Sequence, residues 1–218
     1  MATDLICKYL TRPIDYGKML EIQEKERADV LSGKSNGTIF FLEHKPVYTS
    51  GLRGNSSHFL DDTGVPVFKV KRGGEVTWHG PGQLVIYPVI HMKANGFRSV
   101  REFVEYFGNI ITSVVQDACG IKKAKWIDEK AGIWVDDKKI AFSGLHFRKF
   151  VPIHGYSLNI SCDLEPFSKI IPCGIEGLKV TSVELENAEK VEAFEIIEII
   201  VEKMNDRFPN LKMIKEAL

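Results

Sequence analysis

The hydrophobic positions of this chain form two kinds of pattern, short strand-like stretches and longer stripes with helical spacing. The short stretches are rich in aromatic and β-branched residues and end at glycine, proline or polar turns, which is typical of strands. Alternation of apolar and basic residues in one of them, residues 65–72, indicates a strand with one buried face. Short polar turns join the last three, which favours antiparallel neighbours. Strands are predicted at residues 5–10, 37–44, 65–72, 75–79, 83–92, 132–135, 138–147 and 153–160, with one more near Val47.

Three segments predict helices. The first covers residues 13–32, opens with a proline and has apolar residues at roughly helical spacing. Ser99 and Glu102 form a capping box ahead of the second, whose apolar stripe continues until Gly120. Strands clustered between helices predict a single α+β domain over residues 1–218, a mainly antiparallel sheet flanked by helices that pack largely on one side. The last helix carries one apolar face, formed by Val191, Phe194, Ile197, Val201, Met204 and Phe208.

The composition describes a protein that is long enough to bury a core and carries no overall charge. The chain has 218 residues, 44% of them hydrophobic, and 29 basic residues balance 29 acidic ones. The protein therefore has no net charge that would attract nucleic acid or an anionic membrane. The N-terminus has acidic residues and no long apolar run, so we expect neither a secretory signal nor a membrane span. Four widely spaced cysteines without a CxxC pair predict no metal site and a reducing compartment, the cytoplasm or a eukaryotic organelle.

The first candidate for chemistry is the segment RGGEVTWHGPGQ, residues 72–83. Two adjacent glycines after a strand let the backbone approach a ligand closely, and Gly80-Pro81-Gly82 adds a constrained turn. The same pattern also suits a pair of tight hairpins. Polar and aromatic side chains beside permissive glycines favour a pocket for an elongated ligand.

A lone cysteine provides the second candidate. Cys7, Cys119 and Cys162 lie in apolar contexts typical of inert core thiols, whereas Cys173 lies between Pro172 and Gly174 on an irregular loop. A free thiol is only a few per cent ionised at pH 7, so catalysis needs a nearby base or cation.

Several groups can supply that base. Lys169 and Lys179 lie close in sequence, whereas Lys139 and the histidines approach the cysteine only through the fold. Lysines beside a strand are usually a solvated turn. The strand that follows Lys139 is broken by Ser143-Gly144, and such a break often marks close approach of a ligand or another backbone.

Together these segments resemble the lipoyl(octanoyl) transferases of lipoate biosynthesis, which are related to the lipoate and biotin protein ligases. The motifs RGGEVTWHGPGQ, KKIAFSGL, HGYSLN and PCGI occur in the family's order, with DLEPF ahead of the cysteine loop. The match runs from HKPVYTSG to VTSV and so covers most of the chain. Trp78 and Tyr156 are bulkier than the family pattern at those positions, a departure that would either narrow the acyl pocket or alter the chain-length preference.

The resemblance implies an enzyme without a cofactor that takes octanoate from acyl carrier protein and holds it as a thioester on Cys173. It then implies transfer to a lysine of a lipoyl domain, in 2-oxoacid dehydrogenase E2 subunits or the glycine cleavage H protein, with Lys139 as the activating base. We expect a monomer and an exposed docking rim for acidic carriers at Lys45, Arg53, Lys71, Arg148, Lys149 and Lys179. The implied substrate-binding residues are Arg72, Gly73, Gly74, Glu75, Val76, Thr77, Trp78, His79, Phe142, Ser143, Gly144, Gly155, Tyr156 and Ser157.

Three other functions compete with this interpretation. An ATP-dependent lipoate or biotin ligase on the same scaffold would not need Cys173, but the glycine segment lacks the further glycines and basic residues of a ligase adenylate loop. A noncatalytic acyl-carrier-binding module would make the cysteine structural. A papain-like hydrolase would pair the cysteine with His79, His146 or His154.

Overall fold

The computed structural model describes residues 5–62, 64–187, 191–209 and 211–217. Its helices are α1 (Tyr16–Leu31), α2 (Val100–Asp117), α3 (Val183–Asn187) and α4 (Ala193–Met204). Its strands are β1 (Ile6–Leu10), β2 (Gly37–Leu42), β3 (Val47–Ser50), β4 (Val67–Lys69), β5 (Val76–His79), β6 (Gln83–Ile90), β7 (Ala124–Ile127), β8 (Gly132–Val135), β9 (Lys138–Arg148), β10 (Val151–Asn159), β11 (Lys179–Val180) and β12 (Lys212–Glu216).

A large mixed sheet organises the molecule. Its strand order is β12-β1-β2-β6-β10-β9-β8-β7, and β11 adds to β9. From β2 to β7 every neighbouring pair is antiparallel, whereas β1 lies parallel to both β2 and β12. A small second sheet has the order β4-β3-β5. The predicted α+β class with a mainly antiparallel sheet is therefore confirmed.

Helices cover both faces of the large sheet. Ile39 and Phe41 of β2 belong to the hydrophobic cluster that contains α2 and α4. Phe40 and Leu42 point to the other face and pack with Met19 and its neighbours on α1. This follows from the two-residue period of a strand, because successive side chains of a fully apolar strand enter opposite layers. The expectation that helices lie largely on one side was therefore wrong for α1.

Most predicted elements are present, and their ends show why some bounds differ. Helix α1 begins only after Asp15, whose side chain accepts a hydrogen bond from the Lys18 backbone at 3.1 Å. The Ser99 cap of α2 is confirmed. Helix α4 is shorter than the predicted stripe, since Val191 and Phe208 lie outside it.

The strand expected at residues 65–72 is confined to β4, but the alternation predicted in its second half is present: Phe68 and Val70 are half-buried, whereas Lys69 and Lys71 are exposed. Among the described strands β4 pairs with β3, and so lies at the edge of the small sheet. Strands β7, β11 and β12 and the short helix α3 were not predicted. None of the described helices is long and apolar enough to cross a lipid bilayer.

Candidate active site

Strand pairing brings Lys139 and Cys173 together. Lys139 lies near the start of β9, where its partner across the ladder is Val180 of β11. Strand β11 follows the cysteine loop within a few residues, so this pairing ties the loop to the lysine strand. Ahead of the cysteine, the amide of Ile171 donates to the carbonyl of His58 at 2.8 Å. As a result, the Lys139 Nζ atom lies 3.5 Å from the Cys173 Sγ atom.

The Lys139 side chain is buried, with only 1% of the residue exposed. Its Nζ donates a hydrogen bond to the carbonyl of Lys130 at 2.8 Å and lies 4.9 Å from the centre of the Phe142 ring. Removal from water disfavours the charged ammonium, and this desolvation lowers the pKa of Lys139 below its usual 10.5. Burial thus favours the neutral amine, the form that can accept a proton.

The space for this side chain depends on Gly132. A Cβ atom at that position would lie 2.4 Å from the Lys139 Cε atom and 2.3 Å from the Ala141 carbonyl oxygen. Any other residue would therefore displace either the amine or the β8–β9 pairing.

Cys173 lies in a short 3-10 turn, Pro172–Gly174, with backbone angles φ 56° and ψ 17°. A side chain in this left-handed region is uncommon and carries a conformational cost, and such strain is concentrated at functional sites. The next residue, Gly174, is also left-handed, and a Cβ on it would lie 1.5 Å from an oxygen of the Glu75 carboxylate. The turn is thus packed directly against the Glu75 side chain, and this contact restricts its conformation.

The sulfur opens onto a narrow slot between the glycine segment and strands β9 and β10. Gly144 and Gly155 face each other across that strand pair. Gly73 donates its amide to the Leu145 carbonyl at 3.1 Å, which anchors the glycine segment on β9. The slot is lined by twelve of the predicted binding residues together with the cysteine, namely Arg72, Gly74, Glu75, Val76, Thr77, His79, Phe142, Ser143, Gly144, Gly155, Tyr156, Ser157 and Cys173.

Two predicted binding residues lie outside the lining of this slot. Gly73 faces a neighbouring groove. Trp78 is buried in the hydrophobic cluster that also contains the slot residues Val76 and Phe142, and its ring meets Phe167 edge-on at 5.7 Å between centres. Trp78 therefore packs within that cluster and does not itself line the slot. Tyr156 donates its hydroxyl to the Val104 carbonyl at 3.0 Å, which fixes its side chain towards α2.

Three slot residues were not among the predicted binding residues: Tyr16, Tyr87 and His154, the last of which was considered only as the partner of the cysteine in a hydrolase. The Tyr16 hydroxyl lies 3.2 Å from His154 Nδ1, and Tyr87 bonds His44 at 2.9 Å. Their signal in the sequence was weak, because each is a single polar residue within an otherwise apolar stretch. His154 also has a positive φ of 59° and precedes Gly155 in the HGYSLN motif, a combination that only the backbone geometry reveals.

These buried histidines remain neutral. Loss of hydration lowers the pKa of His44 to about 4 and that of His154 to about 3, and it lowers the pKa of His79 well below 6.5. Hydrogen bonds fix two of the tautomers. His44 Nδ1 donates to the Ile14 carbonyl at 3.1 Å, and His79 Nδ1 donates to the Gln83 side-chain carbonyl at 2.6 Å.

Arg72 shapes the glycine segment. Its guanidinium is buried and donates to the Thr49 carbonyl at 2.7 Å, the Glu75 carbonyl at 2.7 Å and the Gly73 carbonyl at 2.9 Å. These hydrogen bonds fix the backbone of the glycine segment around the Arg72 guanidinium. Within the described ranges no carboxylate lies within 4.0 Å of Arg72, so its charge is met by backbone carbonyls and the Thr49 hydroxyl.

The other cysteines fit the prediction of inert core thiols. Cys7, Cys119 and Cys162 are buried, and burial raises the pKa of Cys7 and Cys162 to about 12. Among the residues that the structure describes, no histidine forms a hydrogen bond with Cys173. The geometry therefore gives no support to a cysteine–histidine hydrolase.

The residues of the predicted docking rim are exposed, but two of them form ion pairs with carboxylates of this chain. Arg53 lies 3.5 Å from the Glu75 carboxylate, and Lys179 pairs with Asp137 at 2.6 Å. Lys45, Lys71, Arg148 and Lys149 are also exposed.

Sequence comparisons agree with the motifs. The model of the lipoyl protein ligase A/B catalytic domain matches residues 15–205. An octanoyltransferase of Geotalea uraniireducens (strain Rf4) is 39% identical over 184 residues, which are 84% of this chain and 84% of the relative. An octanoyltransferase of Paenarthrobacter aurescens (strain TC1) is 36% identical over 198 residues, with 88% and 87% covered.

The fold agrees as well. A structure of the bipartite lipoate protein ligase system of Thermoplasma acidophilum superposes with a TM-score of 0.70, covering 100% of this chain and 88% of that one. At 15% identity this likeness establishes the fold alone. The fold and the sequence relatives together confirm the resemblance inferred from the motifs, and the chain belongs to the lipoyl protein ligase A/B catalytic domain family and, within it, to the octanoyltransferases.

Proposed function

We propose that this protein transfers octanoyl from an acyl carrier protein to a lysine of a lipoyl domain, through a thioester on Cys173. The observation that supports this most directly is the buried Lys139 amine 3.5 Å from the Cys173 sulfur. Cys173 of that pair lines a slot whose walls include Phe142 and Val76. An apolar slot with a nucleophile and a base at one end suits an acyl chain attached at its carbonyl carbon.

In the first step, Lys139 accepts the thiol proton and the Cys173 sulfur attacks the carbonyl carbon of the donor thioester. A new carbon–sulfur bond forms, the bond to the donor sulfur breaks, and Lys139 returns the proton to the departing thiolate. One thioester replaces another, so the step is nearly balanced in free energy and needs no ATP. The lowered pKa of Lys139 lets the same group serve as acceptor and donor.

In the second step, an acceptor lysine amine attacks the acyl-cysteine. An amide bond forms, the Cys173 sulfur leaves, and Lys139 takes the proton released by the amine. Amide formation from a thioester is downhill, which gives the reaction its direction.

The developing oxyanion needs a hydrogen-bond donor, and we assign this role to the backbone amide of Gly74. Gly74 lines the slot with Cys173 and has a φ of +81°, which a residue with a side chain rarely adopts. Across the described residues its N–H has no hydrogen-bond acceptor. An unpaired N–H beside the nucleophile is the donor that such an intermediate requires.

The test is intact-mass measurement after incubation with octanoyl acyl carrier protein. We expect one octanoyl group on the wild-type protein and none on Cys173→Ala. Cys162→Ala, which changes a buried thiol, should still be acylated. An adduct on Cys173→Ala, or none on the wild type, contradicts the proposal. Full activity of Cys173→Ser with free octanoate and ATP would instead identify a ligase.

A further inference from the structure

The Cys173–Lys139 pair borders a second cavity besides the acyl slot. This cavity, the open groove, contains both Cys173 and Lys139 in its lining and shares Gly74, Ser143 and Gly144 with the slot. Its remaining walls come from the start of α2, the far half of β9 and the residues after the cysteine turn. The nucleophile therefore has two spaces next to it, and the proposed acyl slot accounts for only one.

The walls of the open groove are mainly apolar. Leu145 and Phe147 alternate with polar neighbours on β9, so both point to the face that α2 covers only in part. Val100 at the first turn of α2 is 44% exposed, and Ile175 is 39% exposed. Large apolar side chains left exposed around a reactive group indicate a surface that a ligand covers.

Exposed cations lie at the rim of the same groove. Arg53 and Lys130 both line it, and both are exposed. Glu129 is the carboxylate among the lining residues, and Arg53 also lies 3.5 Å from the Glu75 carboxylate. Among the described residues Lys130 is therefore the rim cation without a carboxylate within 4.0 Å, and its Nζ lies over the Trp134 ring. A ligand that is aliphatic along its length and negatively charged at its far end would match this arrangement.

We propose that the open groove binds the flexible thioester arm through which the donor carrier presents its acyl group. This inference depends on the proposed function. In a thioester the acyl chain and the arm meet at the carbonyl carbon that Cys173 attacks. When the chain fills the slot, the arm must leave from Cys173 by another route, and the open groove is the adjoining cavity. Carrier arms are chains of methylene and amide groups that end in a phosphodiester, which suits apolar walls and a cationic rim.

The experiment compares two octanoyl donors on the same variants. Octanoyl acyl carrier protein carries the arm, whereas 4-nitrophenyl octanoate carries the same acyl chain without it. Val100→Trp puts bulk into the open groove from an exposed position. Leu185→Trp is the matched control, because Leu185 is 69% exposed on α3 and lies outside the groove. The measured quantities are the acylation rate of Cys173 from each donor and the rate of subsequent transfer to a lipoyl domain.

We expect Val100→Trp to slow acylation by the carrier-bound donor at least about tenfold, because the indole ring takes the space of the arm; tenfold corresponds to about 1.4 kcal/mol of lost binding. Acylation by 4-nitrophenyl octanoate should stay within about twofold of wild type, a range that corresponds to a few tenths of a kcal/mol. Leu185→Trp should change neither rate.

Three results would overturn the inference. Equal slowing with both donors would make the open groove part of the acyl site. Unchanged acylation with the carrier would exclude the groove as the route of the arm. Slowing confined to the transfer step would assign the groove to the acceptor lysine. Failure of the proposed function is distinct, since the wild-type protein would then form no adduct with the carrier-bound donor.

Discussion

Replacing Lys139 by methionine isolates the proton transfer from the packing around it. Methionine keeps the length and apolar character of the lysine stem and removes the amine. The site is closed, with 1% of the residue exposed and an aromatic ring 4.9 Å from Nζ, so the thioether finds a suitable environment. We therefore expect Lys139→Met to fold normally and to lose acylation.

The magnitudes separate these two effects. The Lys130 carbonyl loses one hydrogen bond, which costs about 1 kcal/mol. Burial of the polar amine, which costs about 1–3 kcal/mol in proteins, is relieved at the same time. The unfolding free energy should thus change by less than about 2 kcal/mol. Loss of a general base typically slows a reaction about 10²- to 10⁴-fold, so the kinetic effect should be much the larger.

The pH dependence of acylation tests the role of the amine. Below the pKa of Lys139 its Nζ holds a proton and accepts no other, so the wild-type rate should rise with pH through that pKa. Desolvation lowers the pKa of Lys139, so the rate should rise at a pH below 10.5. In Lys139→Met the increase governed by the pKa of this amine should be absent. Burst acylation by octanoyl acyl carrier protein, followed by rapid quench and intact mass, measures the rate at each pH.

Lys138→Met provides the control on the same strand. Lys138 is the neighbouring residue and is ion-paired with Glu186, and its side chain is 36% exposed. Glu186 is only 13% exposed and keeps a hydrogen bond from the Thr181 hydroxyl, so the variant should lose some stability and still be acylated at the wild-type rate. If Lys139→Met were acylated within about threefold of wild type, well short of the loss expected for a general base, Lys139 would have no role as the base. An equal loss in both lysine variants would point to damage in the strand.

Three other changes have defined outcomes. Gly132→Ala should cut acylation by at least about tenfold, because the new methyl group would displace Lys139; a normal rate in a folded Gly132→Ala protein would contradict the packing argument. Gly174→Ala should lower the melting temperature, because its Cβ would overlap the Glu75 carboxylate; an unchanged melting curve would show that the turn adapts. His44 has a pKa of about 4 in the fold against 6.5 unfolded, so the unfolded chain binds the extra proton between these values, and stability should fall as the pH drops from 6.5 to 4; His44→Gln should flatten this decline, and an unaltered decline would remove His44 as its cause.

The sequence was sufficient for elements with a strong period or a clear boundary. Helix α2 was predicted from its capping box and apolar stripe, and both are present. Strand β12 was missed because its sequence, KMIKE, alternates poorly and its residues are exposed or half-buried. It forms by parallel pairing with β1 across almost the whole chain, a long-range contact that no local pattern encodes.

The motifs predicted which segments form the site, but they did not predict which of their side chains point into the slot. Strand β5 is buried on both faces, so the sequence VTWH does not show which side chains enter the slot. The fold buries Trp78 in the cluster that contains Val76 and Phe142, whereas His79 lines the slot. The same limitation hid Tyr16, which reaches the slot from α1 because that helix covers the second face of the sheet.

The structure also explains why separate motifs belong to one site. His79 donates to Gln83, and the Gln83 amide donates to the Asn159 side chain at 2.9 Å. Asn159 donates to the Thr181 carbonyl at 2.9 Å, and the Thr181 amide donates to the Lys139 carbonyl at 3.0 Å. Each donor in this buried series bonds to the next residue. A side chain that lines the acyl slot is thereby connected to the backbone of the proposed base. These hydrogen bonds hold three strands in one register, through Gln83 at the end of HGPGQ, Asn159 at the end of HGYSLN and Thr181 after β11. That register sets the distance between Lys139 and Cys173.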